Sequence, residues 1–367
     1  LNCTFNGDFG GEGAITIQPN KDVEHIVNVK RCEFNNIPAT SHRIFLAPYD
    51  GKKALFYGFE LNTDLKATTA YELEMFLNMS NQVNVAKGNY KFPTSSIKEG
   101  QTIICEEGTV FTGTSSLNIK GSTVIGATFE NEDGVAVSGT IHGTFKNCEF
   151  IGNEALRWCY SSQGKPVVFE DCVIKTDFRG FHFDDMNGDV IFRGCEIAGF
   201  NAFGGDGTIT FEGCTFTNDE SRYNGLNIYA NTYIKDCTFK YISGKTNFID
   251  MEGIGKTLTI ENSSATLDGN TANITDFVGG SKLGENIFIL DGNYCVKTAT
   301  SFKNICTVIL ADGSKNVTIE LANDIDLAGI EWPAVSTAAA FVLDGKGYSI
   351  KNLTTSAVED NGFYSTA

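Results

Sequence analysis

The sequence predicts an all-β fold, a right-handed parallel β-helix (a β-solenoid) with about three short strands in each coil. Three observations predict it: a six-residue phrase recurs, its copies lie about two dozen residues apart, and apolar residues alternate around it with a period of two. The unit is too short for the common helix-pair repeats. A leucine-rich repeat is excluded because Leu does not occupy the positions that such a repeat requires.

The recurring phrase reads apolar, any residue, Asn/Asp/Gly, Cys, any residue, apolar. Its central copies place cysteines 24, 23, 19 and 23 positions apart, at Cys148, Cys172, Cys195, Cys214 and Cys237. Earlier copies begin at Val29 and, clipped, at Asn2. A degenerate copy begins at Ile260, with Ser263 in the cysteine slot.

The Asn/Asp/Gly slot of the phrase suits a left-handed backbone, which a sharp corner between two strands requires. The cysteine and the apolar residue two places later then point inward on the next strand. Coils stacked about 4.8 Å apart would bring each thiol directly over the last. We interpret these cysteines as small buried side chains, because their total of 11 is odd and no Cys-x-x-Cys pair occurs.

A second strand of each coil carries the candidate site. Alternation predicts one outward column formed by Arg157, His182, Asn201 and Asn227, and a neighbouring column formed by Cys159, Asp184, Phe203, Tyr229 and Asp250. Such a surface could bind a glycan through ring stacking and bidentate hydrogen bonds. The alternative is an ordinary exposed β-face, which is polar with scattered aromatic residues.

A catalytic version of this face would pair Asp184 or Asp185 with Asp206 or Asp250 as acid and base, beside His182. A lyase would instead use an Arg base and calcium held by Asp. No cofactor is predicted otherwise, and no metal site, because the remaining histidines show no ligand spacing. Polygalacturonases are a poor match, since no Gly-His-Gly or Arg-Ile-Lys follows the Asp pair. Enzyme activity therefore stays the alternative to a structural role.

The charge balance restricts the partners. The formal net charge is −17, which argues against nucleic acid and anionic lipid, because phosphate contacts need clustered Lys and Arg. No run of 18 apolar residues predicts a membrane span.

The pattern restarts twice and predicts three modules: residues 1–60, 61–296 and 297–367. The first restart contains a capping-box sequence from Thr69 to Glu72 before an apolar segment, and the second contains Thr300 to Ile305. We expect a short helix at each restart, covering the exposed end of a coil stack.

Two resemblances support this organisation. The stretch Gly88-Asn-Tyr90 followed by Ile97 to Phe111 resembles the opening coils of pectate-lyase-like β-helix proteins. Over about the last 70 residues, Asp324-Ile-Asp-Leu327, Trp332 and Asp344-Gly-Lys-Gly-Tyr-Ser-Ile350 resemble the GLUG-type repeat of large bacterial surface proteins, with Asn361-Gly-Phe-Tyr364 where that family has Gly-x-Phe-Gly.

The resemblances imply surface exposure and an adhesive context rather than a defined activity. The sequence therefore predicts a non-enzymatic structural or adhesive segment of a larger secreted or bacterial cell-surface protein that contacts glycans or a host surface. Because both ends fall inside a repeat, we expect further segments of the same polypeptide on either side. The alternatives are a polysaccharide lyase or glycoside hydrolase, and a phage tail fibre or spike on a virion surface.

Overall fold

The structure, a computed structural model, describes residues 3–9, 13–17, 25–38, 41–46, 59–161, 164–176, 178–217, 225–241, 248–309, 316–332 and 341–355. Parallel sheets stack into a β-solenoid of about 10 turns, which confirms the predicted fold class. The described residues contain two α-helices, α1 (Ala70–Met79) and α2 (Ala299–Asn304). Neither is long and apolar enough to cross a membrane.

Each central coil contributes strands to three faces, which we call faces A, B and C. Face A consists of Gln82–Val85, Thr102–Cys105, Thr123–Ile125, Gly143–Lys146, Val167–Glu170, Val190–Arg193, Ile209–Glu212, Thr232–Lys235, Thr257–Glu261 and Ile287–Leu290. Its sheet also includes Lys66–Ala67 at one end and Asn293–Val296, Val317–Leu321 and Phe341–Asp344 at the other.

Faces B and C form one sheet, because Thr128–Thr140 and Glu149–Tyr160 run through the corner between them. Face B otherwise consists of Gly88–Lys91, Thr109–Thr112, Val173–Lys175, Glu196–Ala198, Thr215–Thr217, Thr238–Tyr241 and Ser264–Leu267. Face C otherwise consists of Thr114–Asn118, Arg179–Met186, Phe200–Gly205, Leu226–Ile228, Ile249–Met251 and Val278–Gly279.

The corner between faces A and B has the predicted left-handed backbone. The Asn/Asp/Gly slot has a positive φ in every central copy: 50° at Asn147, 51° at Asp171, 61° at Gly194, 63° at Gly213 and 54° at Asp236. Asn, Asp and Gly tolerate this conformation better than other residues do. The chain therefore turns sharply and delivers the next residue, the cysteine, to the interior.

The five phrase cysteines line one side of the interior as free, buried thiols. From Cys172 onward, each Sγ lies within hydrogen-bond distance of the carbonyl oxygen of the phrase's first residue one coil earlier: Cys172 to Phe145 at 3.4 Å and Cys195 to Phe169 at 3.5 Å. The neighbouring thiol of Cys172, together with burial, raises the pKa of Cys195 to about 12. The Cys195 thiol is therefore protonated at neutral pH.

Phenylalanines form the rest of the central core. On face A, the rings of Phe145, Phe169, Phe192 and Phe211 stack in successive coils with centroids 5.4, 4.7 and 5.1 Å apart. Parallel in-register strands place identical side chains directly over one another, so a repeated Phe becomes a column of stacked rings. The apolar cluster that contains this column extends from Ile17 to Cys295.

Helix α1 lies between two sets of coils. Thr69 Oγ1 accepts a hydrogen bond from Glu72 N at 3.2 Å, which gives the helix an N-cap. The Glu72 carboxylate accepts from Thr68 N and Arg43 Nε instead of completing a capping box with Thr69. The helix packs against both Phe59–Thr63 and Gln82–Val85. It is thus covered on both sides rather than closing a free end.

Two β-hairpins interrupt the parallel stacking, and the sequence analysis did not predict them. Ser264–Leu267 pairs antiparallel with Asn270–Ala272, and Ile287–Leu290 with Asn293–Val296. Both turns read Asp-Gly with positive φ at both residues, the pattern of a type I′ turn. The first hairpin ends face B. Three 3₁₀ turns, Thr94–Ser96, Ile274–Phe277 and Leu283–Glu285, lie outside the strands.

Coils also precede and follow the central stack. Upstream, three parallel pairs join Thr4–Asn6 with Glu33–Asn35, Gly13–Ile17 with His42–Leu46, and His25–Val29 with Phe59–Thr63. Downstream, Ile325–Asp326 pairs with Ile350–Lys351, and Glu331–Trp332 with Thr354–Thr355.

Helix α2 has a capping box between Thr298 and Ser301 and continues into a π-helical turn, Ile305–Ile309. It packs in a second apolar cluster that extends from Val296 to Trp332.

The upstream coils share the apolar cluster of the central stack. The predicted module boundaries at residues 60/61 and 296/297 stay predictions.

The acidic residues of the GLUG-like phrase connect two downstream coils. Asp324 accepts hydrogen bonds from Ser349 N at 2.8 Å and from Lys351 Nζ at 3.1 Å. The Ser349 backbone N–H, followed by Lys351, lowers the pKa of Asp324 to about 2. Asn352 Nδ2 donates to Asp326 Oδ1 at 2.8 Å in the same way.

This arrangement predicts acid sensitivity of the downstream coils. Because the pKa of Asp324 is lowered in the folded chain, its stabilising contribution is complete above its unfolded pKa and is lost as the pH falls from about 4 towards about 2. Trp332 fluorescence, read in a Trp158→Phe background, should show unfolding at lower urea over that range. Asp324→Asn should weaken this pH dependence; an unchanged dependence would show that Asp324 does not connect the coils.

Candidate ligand-binding face

Face C carries a row of in-register residues that crosses five coils, and four of the five are polar. Backbone register pairs Arg157 with His182, His182 with Ala202, Ala202 with Asn227, and Asn227 with Asp250. We call these five residues the outer row. Neighbouring members are about 4.8 Å apart because they occupy adjacent parallel strands. Four of the predicted site residues (Arg157, His182, Asn227 and Asp250) are therefore brought together. Asp250 was predicted in the neighbouring column with Tyr229, which is wrong, because it pairs in register with Asn227.

The prediction for Asn201 is wrong, because this side chain points into the core. It is 1% exposed, and its backbone pairs with Phe181 and Leu226. Its Oδ1 accepts from Phe181 N at 3.1 Å, and its Nδ2 donates to Gly199 O at 2.7 Å. A register shift between Arg179 and Phe181 moves the alternation by one position, so the backbone of Ala202, rather than that of Asn201, pairs with His182.

A β-bulge also explains why Cys159 is buried, contrary to the predicted outward column. Arg157 pairs with His182 and Cys159 with Phe183, so Trp158 is the extra residue on its strand. Its φ is 50°, and its side chain is 54% exposed. The bulge therefore sends Cys159 into the core and displays an indole ring beside the outer row.

The predicted carboxylates near His182 have separate backbone positions. Asp184 and Asp185 lie within Arg179–Met186, at a second register shift between Phe183 and Met186. Phe203 pairs in the backbone with Phe183 and Ile228. The side chains of Asp184, Asp185 and Phe203 lie outside what the structure describes, so their roles stay predictions. Asp206 is exposed in the turn after Phe200–Gly205, beyond the strand that contributes to the outer row.

Opposite charges hold the first end of the row. Arg157 forms an ion pair with Glu154, three positions earlier on the same strand, and its guanidinium carbon lies 4.4 Å from the centroid of the Trp158 ring. In the next coil, Arg179 pairs in register with Glu154. The ion pair with Glu154 and the contact with the indole ring together fix the Arg157 guanidinium beneath Trp158.

Tyr229 provides an exposed ring farther along the face. It follows Leu226–Ile228 and is 43% exposed, in agreement with its predicted outward position. Glycines flank it in the coils on either side: a Cβ on Gly204 would lie 3.7 Å from Tyr229 Cβ, and one on Gly253 would lie 2.9 Å from Tyr229 Cα. Neither neighbour carries a side chain, and at Gly253 a Cβ would come too close to the Tyr229 backbone.

Sequence reasoning missed Glu154, Trp158, Arg179 and Tyr160 as members of this face. Tyr160 is 46% exposed, and with Trp158 and Tyr229 it makes three exposed aromatic rings on face C. Strict alternation from an outward Arg157 puts Trp158 inside and Cys159 outside, so the exposure of Trp158 and Tyr160 depends on the bulge.

The fold and this face define a class: a parallel β-helix whose outer surface combines a polar row with exposed aromatic rings. Comparisons with protein-family models, curated proteins and solved structures returned no match. Across the described ranges, no group of three or more His, Cys, Asp or Glu residues could hold a metal ion. The resemblances to pectate-lyase-like and GLUG-type proteins stay predictions.

Proposed function

We propose that the chain is a non-enzymatic, structural and adhesive β-helix segment of a larger secreted or bacterial cell-surface protein, and that face C contacts glycans. The observation that carries the proposal is the set of three exposed aromatic rings, Trp158, Tyr160 and Tyr229, beside the outer row. Sugar rings present apolar C–H faces that stack on aromatic side chains, while their hydroxyl groups hydrogen-bond to polar groups nearby.

The chemistry of the outer row suits hydroxyl groups. Arg157 donates hydrogen bonds, Asp250 accepts them, and Asn227 can do both. The row contains both a cation, Arg157, and a carboxylate, Asp250. Ligand binding therefore does not require a ligand of one particular charge.

The architecture supports the structural part of the proposal. About 10 turns at ~4.8 Å each give a central stack on the order of 50 Å long, held by one apolar cluster. In the last described strand of face A, Leu343 is 37% exposed, whereas its partner Ile319 one coil earlier is fully buried. This difference supports packing of a further coil on that strand, as expected for a segment of a longer solenoid.

Tyr229→Ala should weaken glycan binding about tenfold, because it removes the ring on which a sugar would stack; this factor corresponds to ~1.4 kcal/mol. A glycan array should identify the ligand, and calorimetry should measure its affinity. Tyr348→Ala is the matched control, since Tyr348 is 40% exposed but lies in the last coil. Unchanged affinity in Tyr229→Ala would contradict a glycan role for face C.

The same preparations should show no turnover of acidic or neutral polysaccharides, measured as new reducing ends and as absorbance from new double bonds. Turnover that is lost in Asp184→Asn would overturn the non-enzymatic proposal and favour the lyase or hydrolase alternative.

A further inference from the structure

Face A carries an alternation of charge along its outer side. The second residue of the recurring phrase, which looked unconstrained in the sequence, is Lys146, Glu170, Arg193, Glu212, Lys235 and Glu261 in six successive coils. Backbone register places each directly beside the next. We call these six residues the charge row. Its sign alternates at every step, with a cation at one end and an anion at the other.

Part of the row is paired within the chain. Lys146 Nζ lies 3.3 Å from a Glu170 carboxylate oxygen, and Arg193 lies 3.6 Å from Glu170 and 2.8 Å from Glu212. The side chains of Lys146, Arg193 and Glu212 nevertheless remain 41–47% exposed. Exposed ion pairs of this kind contribute little to stability. Because the side chains remain exposed, their charges are accessible to a partner.

A column of uncharged residues runs beside the charge row. Register aligns the outward residues Thr144, Val168, Ile191, Thr210, Tyr233 and Thr259, all of which are half-buried. β-Branched and aromatic side chains make a flat, weakly apolar strip. Face A thus presents two parallel stripes, one alternately charged and one mostly uncharged.

The charges of the row are complementary to the charges of the same row read in the opposite direction. If a second copy docks face to face with its solenoid axis reversed, Lys146 meets Glu261, Glu170 meets Lys235, and Arg193 meets Glu212. The same three pairs form again on the other side of the two-fold axis, so all six contacts join opposite charges. A parallel arrangement about a two-fold axis would put each residue against its own copy, and every contact would join like charges.

We infer that face A is a docking surface for a second copy of this chain in the antiparallel orientation. The strip of six strands and four residues per strand covers roughly 400 Å² on each copy, below the area of a standard stable interface. The net charge of −17 also opposes association. The dimer is therefore weak, and its affinity falls as salt screens the charge row.

Two charge reversals and their mixture test the orientation directly. Arg193→Glu alone places Glu against Glu212 in both central contacts, and Glu212→Lys alone places Lys against Arg193. A mixed dimer of the two variants has opposite charges in all six contacts. Sedimentation equilibrium at low salt should show dimers of the parent, at least tenfold weaker association of each variant alone, and recovery in the mixture.

The controls separate this result from general charge effects and from misfolding. Each reversal changes the net charge by two units, as do Lys240→Glu and Glu196→Lys, which lie on exposed positions of face B. These two should associate as the parent does. If a central variant loses its cooperative melt, Glu170→Lys mixed with Lys235→Glu tests the next pair of contacts. A parent that stays monomeric at low salt, or mixtures no stronger than the single variants, would overturn the inference.

Discussion

Cys195→Asp should destabilise the chain by about 3 kcal/mol or more, because it would bury a carboxylate inside the thiol column. Cys195 is 1% exposed, and its Sγ faces the carbonyl oxygens of Phe169 and Arg193 at 3.5 and 3.4 Å. An ionised carboxylate offers no donor to these oxygens and would repel them. Urea unfolding followed by far-UV circular dichroism should show an earlier transition.

Cys195→Ser is the matched control, because a hydroxyl keeps a donor at the same position. The chain already contains this solution at Ser263, whose Oγ donates to Glu261 O at 2.9 Å and accepts from Cys237 N at 3.0 Å. We expect Cys195→Ser to cost roughly 1–2 kcal/mol. A near-parental unfolding curve for Cys195→Asp would mean that Cys195 does not face the interior.

Asn201→Asp should cost on the order of 3 kcal/mol, although the two side chains have nearly the same shape. The amide donates from Nδ2 to Gly199 O at 2.7 Å and accepts at Oδ1 from Phe181 N at 3.1 Å. Aspartate would lose the donor and set a buried charge against a carbonyl oxygen. The thermal midpoint should fall accordingly.

Asn227→Asp makes the same chemical change in the neighbouring coil but on the outer row. Asn227 is half-buried and faces outward beside Asp250, so only partly screened repulsion opposes the change. We expect it to cost about 1 kcal/mol or less. Equal effects of the two substitutions would show that the inward position of Asn201 is wrong.

The fold could be predicted because its determinants are local and repeated. The corner at Asn147, Asp171 and their equivalents needs a residue that tolerates positive φ, and the following cysteine must then point inward. Each coil repeats these two requirements, so the sequence shows the period. Three strands per coil follow from the apolar alternation between corners.

The candidate site was predicted only in part. Which side chains face outward depends on the strand register, and strict alternation does not describe register shifts. One extra residue at Trp158 reverses which side chains face outward after it, and the shift near Gly180 does the same for Asn201. Bulges have no strong local sequence signal, so Arg157 and His182 were placed correctly while Asn201 and Cys159 were not.

Other missed features did leave a trace in the sequence. The two Asp-Gly turns, at Asp268 and Asp291, follow the usual pattern of a tight hairpin. The charge row occupies a phrase position that no single residue type fills in all copies, and only the sign of successive copies shows the pattern. Its meaning depends on which coils are adjacent, which requires the fold.

The positions of the sulfur atoms test the account most directly, since the corner, the inward phrase residues and the outer row all depend on the stacking of coils. Anomalous diffraction from a crystal of this chain, recorded at long wavelength, would locate them without reference to the structure described above. We predict that the sulfurs of Cys148, Cys172, Cys195, Cys214 and Cys237 form one row with a spacing of about 4.8 Å. Sulfurs that are scattered, or paired about 2 Å apart as disulfides, would contradict the solenoid and the face derived from it.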